Sequence, residues 1–182
     1  MHEVPEGHGG HGGHGEHVEG PLTLPVTVTL SILAVLVAMV TLLGHRAHTE
    51  ELLLQAKASD QWAFYQAKNI RLREMQSVAD MLGALSPADK EKTEVLHEKY
   101  AKEVERYEKE KDQISEQAKD FEKERDLVQR RADRYDAGEV FLEIALIICS
   151  FTLLTKKKAF WFAGMLLGLV GLVVASSGFL LH

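Results

Sequence analysis

Three long apolar segments in this chain are separated by one long charged segment. Residues 22–44 contain no charged side chain and match the length of about 20 apolar residues that crosses a bilayer. Residues 138–155 and 159–181 form the other two apolar segments, and only a short lysine-rich loop separates them. The pattern predicts an all-α membrane protein with three transmembrane helices, of which the last two form a tight hairpin.

A cleaved signal peptide is the alternative interpretation of the first apolar segment. The residues before it contain neither Lys nor Arg, and no convincing small-residue cleavage site follows it. We therefore expect residues 22–44 to be a retained transmembrane helix.

The charged segment, residues 45–137, is predicted to form two long helices that meet at a turn near residues 83–87. No helix breaker precedes Gly83, and Ser86 is a suitable N-cap for a second helix. Pro87 suits the first helical position, and Asp89 completes an approximate capping box. The sequence thus predicts a long antiparallel helical hairpin, a coiled-coil stalk between the first and second spans.

Apolar and aromatic residues recur every seventh position along the second stalk helix, which indicates a coiled coil. The repeat passes through Tyr100, Tyr107, Ile114, Phe121, Val128 and Tyr135. The first stalk helix has a matching seam at spacings of three and four, through Ala58, Trp62, Tyr65, Asn69, Leu72, Met75, Ala79 and Leu82.

The stretch QWAFYQAKNIR, residues 61–71, places three aromatic side chains in an otherwise polar helix. Trp62 and Tyr65 lie on the predicted seam, whereas Phe64 points well away from it at about 100° per residue. We expect Trp62 and Tyr65 to pack inside the stalk and Phe64 to contact a neighbouring subunit of a homo-oligomer.

The longer stretch HRAHTEELLLQAKASDQWAFYQAKNIR resembles the signature of a family of small bacterial membrane proteins known as domain of unknown function 4337. The resemblance covers most of the chain: a first span, this helix, a charged coiled coil and a closing pair of spans. It implies the same architecture and brings no activity, cofactor or catalytic residue. The tail, residues 1–21, is not part of the family pattern.

Small residues recur along two of the predicted spans, and such series let membrane helices approach closely. Gly164, Gly168 and Gly171 lie at spacings of four and three in the third span. The first span has a parallel series through Thr27, Ser31, Ala34, Ala38 and Thr41. We interpret both series as contacts that support assembly.

Residues 1–21 form a His- and Gly-rich tail that we expect to be disordered because it has almost no apolar surface to bury. Its strict spacing of three suits binding of Ni, Cu or Zn by imidazole, through His8, His11, His14 and His17. The alternative is a flexible low-complexity tail without a physiological metal.

Two further polar pairs mark the ends of spans. His45 and His48 follow the first span, with Glu51 one turn on, and form a second metal site, a pH-sensitive collar or a plain interfacial collar. Glu139 and Glu143 begin the second span, where a carboxylate is expensive. Glu143 either lines a carboxylate ring in an oligomer or lies at headgroup level, bonded to a hydroxyl of the first span.

The remaining composition excludes several classes of protein. Acidic and basic residues are interleaved in the charged segment, so no basic patch indicates nucleic acid. The single Cys149 cannot form a disulfide within the chain. No nucleophile motif, phosphate-binding loop or HExxH spacing is present, and we predict no enzyme.

These patterns favour an oligomeric membrane scaffold or assembly protein, and the alternative is a channel or transport accessory that uses Glu143 and a metal-gathering tail. The partners expected are the lipid bilayer and further copies of the chain. Lys156, Lys157 and Lys158 in a very short loop favour a cytoplasmic loop in a bacterial inner membrane, with the tail inside and the stalk outside. Arg130, Arg131 and Arg134 of the stalk argue the reverse.

A synthetic peptide of residues 1–20 is expected to bind Ni, Cu or Zn in the micromolar range because its imidazoles recur at one spacing. Isothermal calorimetry measures the binding. Absence of a heat of binding for all three ions would remove metal from the account of the tail.

Overall fold

The computed structural model describes residues 22–84 and 90–181, and for Lys90 the backbone alone. It contains three α-helices, α1 (Thr23–Ala84), α2 (Lys90–Thr155) and α3 (Lys158–Ser177), and a 3-10 turn at Gly178–Leu180. The prediction of an all-helical chain is confirmed over these ranges. The tail and the predicted capping residues Ser86, Pro87 and Asp89 lie outside them.

The predicted spans and stalk helices are joined without interruption. α1 has 62 residues and α2 has 66, so each is about 90–100 Å long at 1.5 Å per residue. No break separates residue 44 from 45 or residue 137 from 138. All three helices are long and apolar enough to cross a membrane, which marks the chain as a membrane protein.

Side chains of α1 and α2 meet along most of the length of both helices. Contacts with higher residue numbers on α1 use lower numbers on α2, in the order Thr41–Glu139, His48–Asp136, Gln55–Arg125, Trp62–Glu122 and Lys68–Glu110. Every residue of the predicted α1 seam is buried or half-buried, and so are all six members of the α2 heptad series. The hydrophobic pattern therefore identified the contact faces of both helices.

The glycines of α3 pack against α2 of the same chain. A Cβ on Gly171 would lie 2.9 Å from the carbonyl oxygen of Gly138, and a Cβ on Gly138 would lie 2.9 Å from that of Gly171. A Cβ on Gly164 would overlap Cys149 Sγ, and one on Gly168 would lie 2.9 Å from Leu33 Cδ2. Gly164, Gly168 and Gly171 therefore make close contacts with the chain's own helices. Their use as contacts between copies stays a prediction.

Two residues connect α2 to α3. Lys156 has a φ of 56°, and its N–H donates to the carbonyl of Thr152 at 2.8 Å, which ends α2 in a left-handed cap. A non-glycine residue in this conformation costs roughly 1 kcal/mol, so the position keeps a charged side chain at some expense in stability. At the start of α3, Trp161 Nε1 donates to Thr29 Oγ1 at 3.1 Å and ties the third helix to the first.

Substitution of Gly171 by Ala should loosen the contact between α2 and α3. The added Cβ meets the backbone of Gly138, which cannot move aside alone, and such overpacking costs about 1–3 kcal/mol. Cys149, the one cysteine of the chain, is buried beside α3, so its labelling by a water-soluble maleimide should become faster.

Gly83→Ala is the matched control because a Cβ there meets nothing within 4 Å. Labelling of Cys149 in that variant should equal the wild type. Equal labelling rates in Gly171→Ala and Gly83→Ala would contradict the packing described for α2 and α3.

Candidate functional site: the polar edge between α1 and α2

His48 joins the two long helices where α1 leaves its apolar segment. Its Nε2 lies 3.0 Å from Asp136 Oδ2 on α2, and its Nδ1 lies 3.3 Å from Glu51 Oε2 one turn further along α1. Nearby, Gly44 leaves room for this approach, since a Cβ there would lie 3.2 Å from Asp136 Oδ1. The ring therefore lies between two carboxylates, one from each helix.

The two hydrogen bonds favour the charged imidazolium, which donates from both ring nitrogens. The bond to Asp136, followed by the bond to Glu51, raises the pKa of His48 above the ordinary value of 6.5. The two ring nitrogens of His48 face different carboxylates, so His48, Glu51 and Asp136 do not point at one shared position where a metal ion could bind. Among the described residues, no group of three or more His, Cys, Asp or Glu side chains is arranged to hold a metal ion. His45 is exposed on the same helix.

The next polar pair along this edge joins Thr41 to Glu139. Thr41 Oγ1 lies 2.6 Å from Glu139 Oε1 and 2.9 Å from the carbonyl oxygen of Val37. The shorter distance is typical of a hydroxyl that donates to a carboxylate. Our alternative interpretation had assigned a hydroxyl partner from the first span to Glu143, but the structure gives that partner to Glu139.

Glu143 follows Glu139 by four residues on α2, about 6 Å further into the apolar segment. It is exposed in the single chain, and so are Val140 and Ile147, one turn to either side. No hydrogen bond or ion pair of Glu143 with another described residue is present. Glu143 is therefore uncovered in one copy of the chain, and its place in a carboxylate ring of an oligomer stays a prediction.

The aromatic stretch of α1 divides as its spacing predicts. Trp62 Nε1 donates to Glu122 Oε1 at 2.9 Å, and the Trp62 and Tyr65 rings pack edge to face at 5.5 Å between centroids. Phe64 is 50% exposed on another side of the helix. Within the chain its ring meets the Lys68 ammonium at 5.6 Å.

Sequence reasoning did not predict three pairings at this edge, because each pairing depends on the register between α1 and α2. Asp136 and Thr41 are the partners of His48 and Glu139. Lys68 pairs with Glu110 and lies 4.9 Å from the Tyr107 ring centroid. Pairing the two seams residue by residue would have found these contacts, whereas each helix read alone gives no signal for them.

The tail histidines His8, His11, His14 and His17 lie outside the described residues, and their metal binding stays a prediction. For the rest of the chain, a family model described as domain of unknown function (DUF4337) matches residues 23–181. The chain belongs to the DUF4337 family. No curated protein and no solved structure matches it. The DUF4337 match spans all three helices, so the polar edge lies within the family domain and the tail histidines lie outside it.

The bridge at His48 should make the stability of this DUF4337 protein depend on pH. A raised pKa in the folded state means that His48 contributes its full stabilisation below about pH 6.5 and loses it as pH rises through the folded-state pKa. Solvent screening limits the contribution to about 1 kcal/mol or less. His48→Gln should therefore be less stable than wild type near pH 6, with a difference that shrinks at higher pH.

Thermal unfolding in one detergent, followed by circular dichroism from about pH 5.5 to pH 8.5, measures this difference between the two chains. His45→Gln is the control because His45 makes no side-chain hydrogen bond with another described residue. A wild-type advantage over His48→Gln that stays constant with pH would contradict the proposed role of the imidazolium.

Proposed function

We propose that this DUF4337 protein is a multi-pass scaffold or assembly protein that acts as a homo-oligomer in a bacterial inner membrane. In this proposal α1 and α2 form an antiparallel stalk outside the bilayer, and no catalytic role is assigned. The order of contacts between the two helices supports the antiparallel arrangement. The lysines at 156–158 support a cytoplasmic loop, with the stalk on the opposite side.

One observation carries the proposal, namely the position of Glu143. Its carboxylate lies on the outer surface of α2 between exposed apolar side chains. A carboxylate that faces hydrocarbon without a partner costs several kcal/mol. Another protein surface would remove that cost by supplying a hydrogen-bond donor or by excluding lipid, so we infer that Glu143 is covered by a neighbouring subunit.

A second copy of the chain is the neighbour that fits best. By the register of the Thr41–Glu139 pair, the part of α1 level with Glu143 exposes the small side chains Ala34 and Ala38. Small side chains allow another membrane helix to approach closely. Copies related by an axis along the membrane normal present the same residues at the same depth, so Glu143 of one copy would lie level with Ala34 and Ala38 of the next.

The stalk offers a further contact for the same assembly. Phe64 is exposed on a side of α1 that does not face α2. Aromatic side chains are enriched among the residues that carry the binding energy of protein interfaces. Contact here and at Glu143 would hold neighbouring copies together along both the stalk and the spans.

A channel or transport accessory is the second candidate, and one observation favours it. Asp136, Glu139 and Glu143 follow each other at spacings of three and four along α2, so an oligomer could present rings of carboxylates to cations or protons. The hydroxyls of α1 give less support. Thr27 and Ser31 donate to carbonyl oxygens of their own helix at 2.8 and 3.0 Å. Because their hydroxyls already have hydrogen-bond partners, they do not need the water of a channel lumen.

Cysteine cross-linking in membranes tests the interface at Glu143. In a Cys149→Ser background, Ile147→Cys places a thiol one turn from Glu143 on the exposed side of α2. We expect rapid disulfide cross-linking to a dimer, because each copy brings the same surface to the contact. Leu166→Cys on the outer side of α3 is the matched control and should stay monomeric.

Equal cross-linking at positions 147 and 166 would indicate random collision and would remove the interface from the proposal. Addition of Glu143→Leu to the background separates the two candidate functions. If the protein is a scaffold, Glu143→Leu should change the rate of cross-linking, and neither this variant nor its parent should conduct ions in liposomes. If the protein is a channel, Glu143→Leu should abolish an ion flux that the parent shows.

The stalk contact is tested on the same preparations. Phe64→Ala should keep the helicity of the wild type and reduce the particle mass from light scattering, because aromatic anchors carry much of the energy of an interface. Trp62→Ala should instead destabilise the stalk by about 2 kcal/mol, since this side chain is only half-buried. A full-mass particle in Phe64→Ala would exclude Phe64 from the interface.

A further inference from the structure

The end of the third span lies against one turn of α2 that is rich in arginine. Arg131 Nε donates to the carbonyl oxygen of Leu181 at 2.7 Å. The Tyr135 ring packs edge to face on Phe179, with 5.6 Å between centroids. A Cβ on Gly178 would lie 3.4 Å from Arg134 Cβ, so Arg134 stands directly beside the end of α3.

This turn of α2 lies at the level of the lipid headgroups. The segment Lys158–Leu180 has 23 residues and is about 34 Å long, a little more than the roughly 30 Å of a hydrocarbon core. Its first end carries the lysines at 156–158, so its other end reaches the opposite surface of the bilayer. Leu181 and the arginines that meet it therefore lie where the hydrocarbon ends.

Two of these arginines have no acidic partner. Arg130 and Arg134 are one helical turn apart, and both are exposed. Neither forms a salt bridge or a side-chain hydrogen bond with any residue in the described ranges. Asp136 and Glu51 are engaged with His48 on the side of α2 that faces α1. The exposed Asp133 lies between the two arginines in sequence and forms no ion pair with either of them. Arg130 and Arg134 therefore keep guanidinium groups that form no ion pair within residues 22–84 and 90–181.

Apolar side chains lie immediately beneath this charge. Phe179 is 58% exposed and Leu180 is 80% exposed at the end of α3. An acyl chain can pack against them while its phosphate meets the guanidinium groups above, which bind phosphate oxygens in a fixed fork geometry. Arg side chains also extend readily from an apolar stem to the headgroup region.

We propose that Arg130, Arg134, Phe179 and Leu180 form a binding site for an anionic phospholipid. The guanidinium groups bind the headgroup phosphate, and the two apolar side chains contact the first part of the acyl chain. The site lies on the α3 side of α2 and stays accessible in a single chain, so it does not depend on the proposed oligomer.

The test uses the full chain in vesicles of phosphatidylcholine with about one fifth phosphatidylglycerol, extracted in mild detergent, with the retained lipid quantified by mass spectrometry. Wild type should retain phosphatidylglycerol in excess of its share in the vesicle. The double variant Arg130→Gln/Arg134→Gln should lower that enrichment by about fivefold or more, the effect expected when basic groups near an anionic surface are lost.

Lys99→Gln/Lys119→Gln is the charge-matched control, because both lysines are exposed on the stalk away from the membrane. It should retain the wild-type enrichment. Equal enrichment in both double variants, whether unchanged or reduced, would overturn the site. A wild-type unfolding temperature that rises with inorganic phosphate as much as with phosphatidylglycerol would also overturn it, since the site would then take free phosphate.

Slow maleimide labelling of Cys149 checks that the arginine variant keeps its α2–α3 packing. If the double variant does not fold, the single variant Arg130→Gln decides, because Arg130 lies one turn beyond the contact with Gly178. Phe179→Ser gives an independent check, since loss of the apolar contact should lower the enrichment while all arginines remain. Unchanged enrichment in both single variants would refute the proposal.

Discussion

A seven-residue repeat of buried and half-buried side chains runs along α1 and α2 from the stalk into the membrane-spanning part without changing phase. On α1 it passes through Val26, Leu33, Val40, Ala47 and Leu54, and on α2 through Ile114, Phe121, Val128, Tyr135, Leu142 and Cys149. In water this seam is held by burial of apolar surface, whereas between lipid-facing helices close packing must hold it. The same register buries apolar side chains in the stalk and packs the helices closely in the span. The span and the stalk therefore form one continuous pair of helices.

This shared register also places the polar contacts at the edge of the seam. His48 reaches Asp136 and Thr41 reaches Glu139 because the seam fixes which turns of α1 and α2 face each other. At the same time the seam uses only one side of each helix. The other sides carry Phe64 on the stalk and Glu143 in the span. In a single chain an aromatic ring is thus exposed on the polar stalk, and a carboxylate is exposed in the apolar span.

The sequence predicted what depends on one helix at a time. Heptad spacing found the buried and half-buried positions of α2, and the spacing of the aromatic stretch placed Trp62 and Phe64 on different sides of α1. A contact of Phe64 with a neighbouring subunit stays a prediction. The sequence did not predict pairings such as His48–Asp136, because register between two helices is set jointly by both seams and by the turn between them. The glycines of α3 show a different limit: a small-residue series marks a close contact, but its partner, here Gly138 on α2, cannot be read from the series itself.

At the proposed bilayer surface, α2 presents carboxylates toward α1 and a guanidinium group toward α3, and this arrangement constrains any assembly. Asp136 and Glu139 lie toward α1, whereas Arg134 lies beside the end of α3. If copies meet through the α1 side, as the position of Glu143 favours, the arginine side remains at the outside of the particle and faces lipid. An interface through α3 would instead bring together arginines of adjacent copies that form no ion pair within the described part of the chain. The proposed oligomer contact and the proposed lipid site therefore lie on different sides of the chain and are compatible in one assembly.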